Sequence, residues 1–245
     1  MNIEYRKEYS NYMGRDMEYK LFGSGGKICI VFPCQNGRFY DYEDFGMVDV
    51  LVPEIEEEKL LLVCVDSIDG ESICSQTKPY RERIEAYERW HDYIMFELIP
   101  RLQHEYGNYE GMLTTGCSMG AYHAANFYFR HPDRFDSVIA LSGLYHGSYL
   151  FGDYMDDLVY LNSPIESLSN MPKGHPYMNL YRKNKMIFCV GQGAWEDELL
   201  DSTRRLDAVL RSKGIPAWID YWGYDVNHDW DWWKKQMRYF IGQVV

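Results

Sequence analysis

The sequence predicts an α/β protein: a largely parallel central sheet with helices on both faces, stacked as three layers. Two observations lead there. Short apolar runs alternate with longer stretches of helical periodicity. Several of those runs are apolar at successive positions, as strands covered on both faces must be. With 245 residues, 46% of them hydrophobic, the chain can bury one substantial core, and a single domain over 1–245 is expected.

Taken in order, strands are expected at 18–22, 28–32, 60–65, 112–115, 137–141, 186–190 and 217–221. Between them, 80–103 reads as a long helix bent near Pro100, because proline removes a backbone donor and crowds the preceding turn. A second helix, 119–130, is stopped by His131 and Pro132. A third, 198–213, carries Leu199, Leu206, Val209 and Leu210 on one face and ends at Gly214; the last runs over 230–241. Residues 145–181 are rich in Gly, Pro, Ser, Asn and aromatics and too long for an ordinary connection, so a lid or pocket wall is expected there. The acidic run 54–58 reads as a solvated face.

A formal charge of −12 repels phosphate backbones and anionic lipid, so neither nucleic acid nor a membrane is an expected partner. The first eight residues are polar and mixed in charge, and no apolar run is long enough to span a bilayer. Six scattered cysteines (Cys29, Cys34, Cys64, Cys74, Cys117 and Cys189) form no Cys-x-x-Cys pair. Reduced thiols in a cytoplasmic protein are the expectation. Self-association is left open.

The chemistry-bearing motif is Gly116-Cys117-Ser118-Met119-Gly120. Gly-x-Ser-x-Gly is short, and its weight comes from context: a strand runs into it and a helix leaves it. Such a turn holds its serine in a strained conformation, and side chains at the flanking glycine positions would collide with nearby backbone. The hydroxyl is thereby presented at the carboxyl edge of the sheet, under the positive end of the following helix, and the amide of Met119 becomes an oxyanion donor. Ser118 could instead merely cap that helix. Cys117 is a rival nucleophile, but in such a turn it points into the packing.

A serine nucleophile needs an imidazole base, and the imidazole needs a carboxylate. Of seven histidines, His91 and His104 lie on the long helix, His123 and His131 in or just after the 119–130 helix, and His146 and His175 in the irregular segment. His228 alone follows the final strand, immediately before the last helix, and is the expected base. The acid is expected after the strand 186–190, where Glu196, Asp197 and Glu198 crowd one loop. Glu198 reads as a first-turn acid; Asp197 is preferred to Glu196.

With these residues in place, the chain resembles the putative-esterase branch of the α/β-hydrolases, which includes S-formylglutathione hydrolase, feruloyl and acetyl-xylan esterases and mycolyltransferases. The resemblance rests on the 116–120 elbow, the following Ala121-Tyr122-His123-Ala124-Ala125, His131-Pro132-Asp133-Arg134-Phe135, Ala140-Leu141-Ser142-Gly143, and His228-Asp229-Trp230 with Trp233. It implies an α/β-hydrolase fold and a triad of Ser118, Asp197 (or Glu196) and His228. Asp197-Glu198-Leu199-Leu200 fits the family's acid segment better than one beginning at Glu196. A second oxyanion amide is implied in the loop Pro33-Cys34-Gln35-Asn36-Gly37, with Gln35 as donor, although the family's common His-Gly pattern is absent there.

The implied activity is hydrolysis of small acyl esters, of carbohydrates or other polar alcohols, through an acyl-enzyme and without metal or organic cofactor. Asn36, Arg38, Tyr40, Tyr145 and Trp195, with Phe39 and Tyr224, are candidate substrate contacts. A thioesterase, an acyltransferase and a catalytically inactive binding module remain as alternatives.

Overall fold

A computed structural model describes residues 1–245. Its eight strands are β1 (Ile3–Ser10), β2 (Arg15–Phe22), β3 (Lys27–Phe32), β4 (Leu60–Val65), β5 (Met112–Cys117), β6 (Phe135–Leu141), β7 (Lys185–Val190) and β8 (Trp218–Tyr221). They form one sheet in the order β1-β2-β4-β3-β5-β6-β7-β8. The β1/β2 and β2/β4 pairs are antiparallel, and every pair from β4/β3 to β7/β8 is parallel.

Strand β1 escapes the sequence criteria. Its pattern IEYRKEYS interleaves charges with Ile3, Tyr5 and Tyr9, and it pairs only with β2 at the sheet edge. Such a strand gains ladder hydrogen bonds and ion pairs but little apolar burial, so hydropathy does not reveal it. The central strands are legible for the opposite reason: all six residues of β4 are buried.

Two helical layers cover this sheet. Ile28, Ile30 and Phe32 of β3 face one layer, which contains α3 (Tyr80–Tyr93), α4 (Ile99–Tyr106), α5 (Met119–Arg130) and α10 (Asp197–Lys213). Cys29 and Val31, one residue out of phase, face the other, built from α2 (Met47–Glu56) and α11 (Trp230–Phe240). A one-turn α1 (Asp41–Asp44) precedes α2.

The long helix is interrupted one turn before Pro100, not at it. Residues Ile94–Leu98 form a π turn between α3 and α4, and Pro100 sits in the first turn of α4. There the missing amide of Pro100 leaves no bond to make back along the chain, and the wider turn relieves the clash of its ring.

Residues 145–181 hold four short helices, α6 (Ser148–Phe151), α7 (Asp157–Leu161), α8 (Pro164–Asn170) and α9 (Tyr177–Tyr181). They are tied to α5 and α10: Tyr122 donates to the Asn162 carbonyl, Tyr181 to the Phe129 carbonyl, and the Tyr145 amide to Ser202 Oγ. No helix is long and apolar enough to cross a membrane. All six cysteines are free thiols, and those in β3, β4 and β7 are buried.

Candidate active site

The turn between β5 and α5 places Ser118 at the carboxyl edge of the sheet. Its backbone takes φ 57°, ψ −121°, a conformation that costs a side-chain-bearing residue roughly 1–3 kcal/mol. Both flanking glycines are required sterically. A Cβ on Gly116 would lie 2.4 Å from the Gly120 backbone, and one on Gly120 would lie 2.3 Å from the Phe32 carbonyl oxygen. The same close approach packs the start of α5 against the end of β3, next to the loop containing Gln35.

The Ser118 hydroxyl makes no cap bond to α5. It lies 2.9 Å from Nε2 of His228 instead. Cys117, the preceding residue, is fully buried, and that burial pushes its thiol well above the ordinary range, so no thiolate competes with the serine.

His228 comes from the loop between β8 and α11, directly before Asp229, whose side chain caps α11. The loop is stitched to the one after β7. The His228 amide donates to the Ala194 carbonyl (3.0 Å), the Gly193 amide to the Val226 carbonyl (2.9 Å), and the Ala194 amide to the Asn227 side chain (2.8 Å). These bonds fix the two loops to each other. The His228 ring also packs edge-on to Trp233 at 4.7 Å.

The carboxylate facing this imidazole is Glu196, which corrects the preference for Asp197. Glu196 is completely buried, and its Oε2 lies 3.6 Å from His228 Nδ1. Asp197 is exposed and opens α10. The reason is the turn at Trp195, which takes φ 68°. That turn rotates the chain so that the residue before the helix, not the first helical one, points inward.

The other Glu196 oxygen accepts a 2.7 Å hydrogen bond from Ser142, whose hydroxyl in turn accepts from the Trp233 indole at 3.1 Å. Ser142 and Trp233 stood in the family-like motifs without an assigned role. The signal that could have singled out Ser142 is its place at the carboxyl end of β6, on the same sheet edge as Ser118.

Of the two oxyanion candidates, the Met119 amide belongs to the first helical residue, which has no intrahelical acceptor. The Gln35 amide makes no hydrogen bond within the protein, while its neighbour Asn36, at φ 55°, is pinned by its amide to Asp69.

The substrate-contact candidates divide. Tyr145 is fully buried against Phe188 and belongs to the core, so it cannot line an open site. The Arg38 guanidinium is engaged by Asp66 and Glu18 and is not free to hold an anion. Tyr40 is exposed beside Phe39, and Asn36 is exposed in the oxyanion-candidate loop. Trp195 is 85% exposed and Tyr224 82%; both stand on the stitched acid and base loops. No three metal-ligating side chains converge anywhere in the chain.

Sheet order, helical layers and the strained turn after β5 together define an α/β-hydrolase. The chain belongs to the family described as "Putative esterase", which matches residues 10–240, and it is thus an esterase-type hydrolase. No curated protein sequence matches. Among solved structures, a ferulic acid esterase superposes with a TM-score of 0.76 at 16% identity, over 97% of this chain and 95% of that one. MPT51 of Mycobacterium tuberculosis superposes at 0.73 and 16% identity (100% and 98% covered). An S-formylglutathione hydrolase from Agrobacterium tumefaciens gives 0.72 and 13% (98% and 93%). At these identities the likeness is one of fold.

Proposed function

We propose that this protein is a serine carboxylesterase that forms an acyl-enzyme on Ser118, with His228 as general base and Glu196 as the acid of the triad. The observation that carries the reading is the 2.9 Å contact between His228 Nε2 and Ser118 Oγ, on a serine held out of the packing by its own turn.

In the first half of the cycle Ser118 attacks the ester carbonyl while His228 Nε2 takes the hydroxyl proton. The buried Glu196 carboxylate faces the proton on Nδ1, fixing the tautomer and offsetting the charge of the imidazolium. The amides of Met119 and Gln35 receive the oxyanion as it forms, as donors fixed in place before the charge develops. His228 then protonates the leaving alcohol. Water attacks the acyl-enzyme with the same histidine as base, and Ser118 regains its proton. Each proton and each developing charge meets a protein group, so the cycle needs no metal or organic cofactor.

For substrate we infer a small acyl group on a carbohydrate or other polar, uncharged alcohol. The exposed rings of Trp195 and Tyr224, on the loops that carry Glu196 and His228, support it, since flat aromatic faces suit sugar or aryl groups. So does the net charge of −12, which disfavours anionic partners. The fold shared with a ferulic acid esterase is consistent with the same class.

The test is a p-nitrophenyl ester panel with a fluorophosphonate probe. Wild-type protein is expected to turn over the acetate and to label, and Ser118→Ala to do neither. Labelling that persists in Ser118→Ala, or a wild-type protein that neither labels nor turns over, overturns the assignment. Selective turnover of S-formylglutathione over oxygen esters would move the leaving group from alcohol to thiol.

A further inference from the structure

The buried face of α5 carries polar side chains that the cycle above does not use. His123 is completely buried, boxed by Phe32, Tyr87, Trp90 and Tyr122. Its Nε2 lies 3.0 Å from Oδ1 of Asp69 and its Nδ1 lies 3.1 Å from the Tyr87 hydroxyl. Asp69 is equally buried, in a short turn (Asp69–Glu71) after β4. Its second oxygen, Oδ2, accepts the backbone amide of Asn36 at 3.0 Å.

These contacts assign a donor and an acceptor at each atom. With Asp69 ionised, His123 donates from Nε2 to Oδ1 and accepts at Nδ1 from the Tyr87 hydroxyl. The Tyr87 oxygen accepts in turn from the Asn126 amide at 3.2 Å. A chain of buried hydrogen bonds satisfied at every link is rigid, and its members hold one geometry.

The chain ends one residue from the Gln35 amide. Asn36 sits at φ 55°, in the left-handed region that asparagine tolerates better than most residues with a side chain, and its amide is fixed there by Asp69. Four bonds hold this loop to residues after β4: Asn36 N–H to Asp69, Ser67 Oγ to the Gly37 carbonyl (3.0 Å), Phe39 N–H to Asp66 (2.9 Å) and Arg38 Nε to Asp66 (2.8 Å). Only the first touches the residue next to Gln35, and only the first is braced by the nucleophile helix.

We propose that Asp69 and His123 are positioning residues: together they lock the Asn36 amide, and so aim the Gln35 amide at the oxyanion, in register with Ser118 in the turn that opens the helix carrying His123. This rests on the esterase reading above and adds to it a link between the two halves of the oxyanion hole. Gln35 comes from the loop after β3 and Met119 from α5, and the Asp69–His123 pair spans the two. Neither residue touches substrate; both act through the backbone.

Steady-state kinetics of Asp69→Ala and Asp69→Asn with p-nitrophenyl acetate test this, with folding followed by circular dichroism. Asparagine keeps an acceptor for Asn36 and presents a donor to His123, whose tautomer can reverse. Asp69→Ala is expected to lower kcat about 10- to 100-fold with KM changed less than threefold, because a misaimed oxyanion donor weakens the transition state more than the ground state. Asp69→Asn is expected to recover most of kcat.

Should Asp69→Ala not fold, the double variant Asp69→Ala/His123→Leu removes both partners and leaves neither one stranded; the same fall in kcat is expected of it. A folded Asp69→Ala or double variant with kcat within twofold of wild type overturns the positioning role while leaving the esterase reading intact. Loss in Asp69→Asn equal to that in Asp69→Ala also overturns it. A wild-type protein inert to the ester and to fluorophosphonate overturns the esterase reading and this inference together.

Discussion

Oε2 of Glu196 and Nδ1 of His228 lie 3.6 Å apart, and neither atom has a hydrogen-bond partner elsewhere in the protein. Two buried polar atoms left facing each other are the natural ends of one hydrogen bond. A gap slightly too long for that bond suits a resting site that tightens as charge develops on the imidazole. Glu196→Ala should therefore lower kcat by roughly three to four orders of magnitude, the scale set by removing or neutralising a triad acid. Asp197→Asn, on an exposed carboxylate, should stay within about threefold of wild type. Parallel p-nitrophenyl acetate kinetics on the two variants check both.

Ser142 is the hinge between Trp233 and Glu196. Removing its hydroxyl in Ser142→Ala leaves one carboxylate oxygen and the indole N–H buried without partners, at about 1–3 kcal/mol. The expected result is a lower melting temperature together with kcat reduced about tenfold, since a weakening of about 1.4 kcal/mol in the transition state is tenfold in rate. Thermal unfolding followed by kinetics on the same preparation reads both effects.

The two glycines of the elbow differ from ordinary turn glycines in what they face. Gly120 has backbone carbonyl oxygens where a Cβ would go, and backbone cannot rotate away as a side chain does. Gly120→Ala is expected to exceed the ~1–3 kcal/mol typical of overpacking and to abolish fluorophosphonate labelling by displacing Ser118. Denaturant titration and labelling report the two consequences separately.

Cys117 offers the opposite expectation. Its side chain is buried and its thiol is held protonated by that burial, so iodoacetamide should leave Cys117 of the folded protein unmodified. Cys117→Ala should retain kcat within a few-fold, with a stability loss of about 1 kcal/mol for the missing sulfur. Loss of activity on alkylation, with the thiol shown to be modified, would contradict this.

Acid sensitivity should originate far from the active site, at His91 and His131. Their Nε2 atoms lie 2.7 Å apart, and His91 Nδ1 bonds Asp92 at 3.0 Å. Burial lowers the pKa of both, with that of His131 brought to about 3, and the neighbouring His91 ring adds to the effect there. Both folded values lie below the ordinary histidine value of about 6.5, so in acid the unfolded chain binds protons that the folded one refuses. The stability contributed by the neutral pair is complete above about pH 6.5 and is lost progressively towards pH 3. Melting temperature measured from pH 7 to pH 4 should fall less steeply for His131→Gln than for wild type.

Much of the molecule was legible in the amino-acid order because burial on both faces of a sheet leaves a plain mark. The central strands are continuous apolar runs, and the turn at 116–120 needs glycine where no side chain fits. Where the mark is absent the reading failed. Strand β1 is half charged and gains little from apolar burial. The interruption of the long helix falls a turn ahead of Pro100, since the clash is with backbone already laid down. Tyr145 reads as a site aromatic from its place after β6, yet it packs into the core.

By itself, then, the sequence determined the central strands of the sheet, its layers, and the presentation of Ser118 and the loop of His228, because strand burial and tight-turn sterics act between residues close along the chain. Only the tertiary structure decided which carboxylate meets the imidazole. Glu196 and Asp197 are adjacent and chemically alike, and the choice between them depends on the backbone rotation at Trp195. It depends also on Ser142 and Trp233, which wait on other elements of the fold to receive the buried charge.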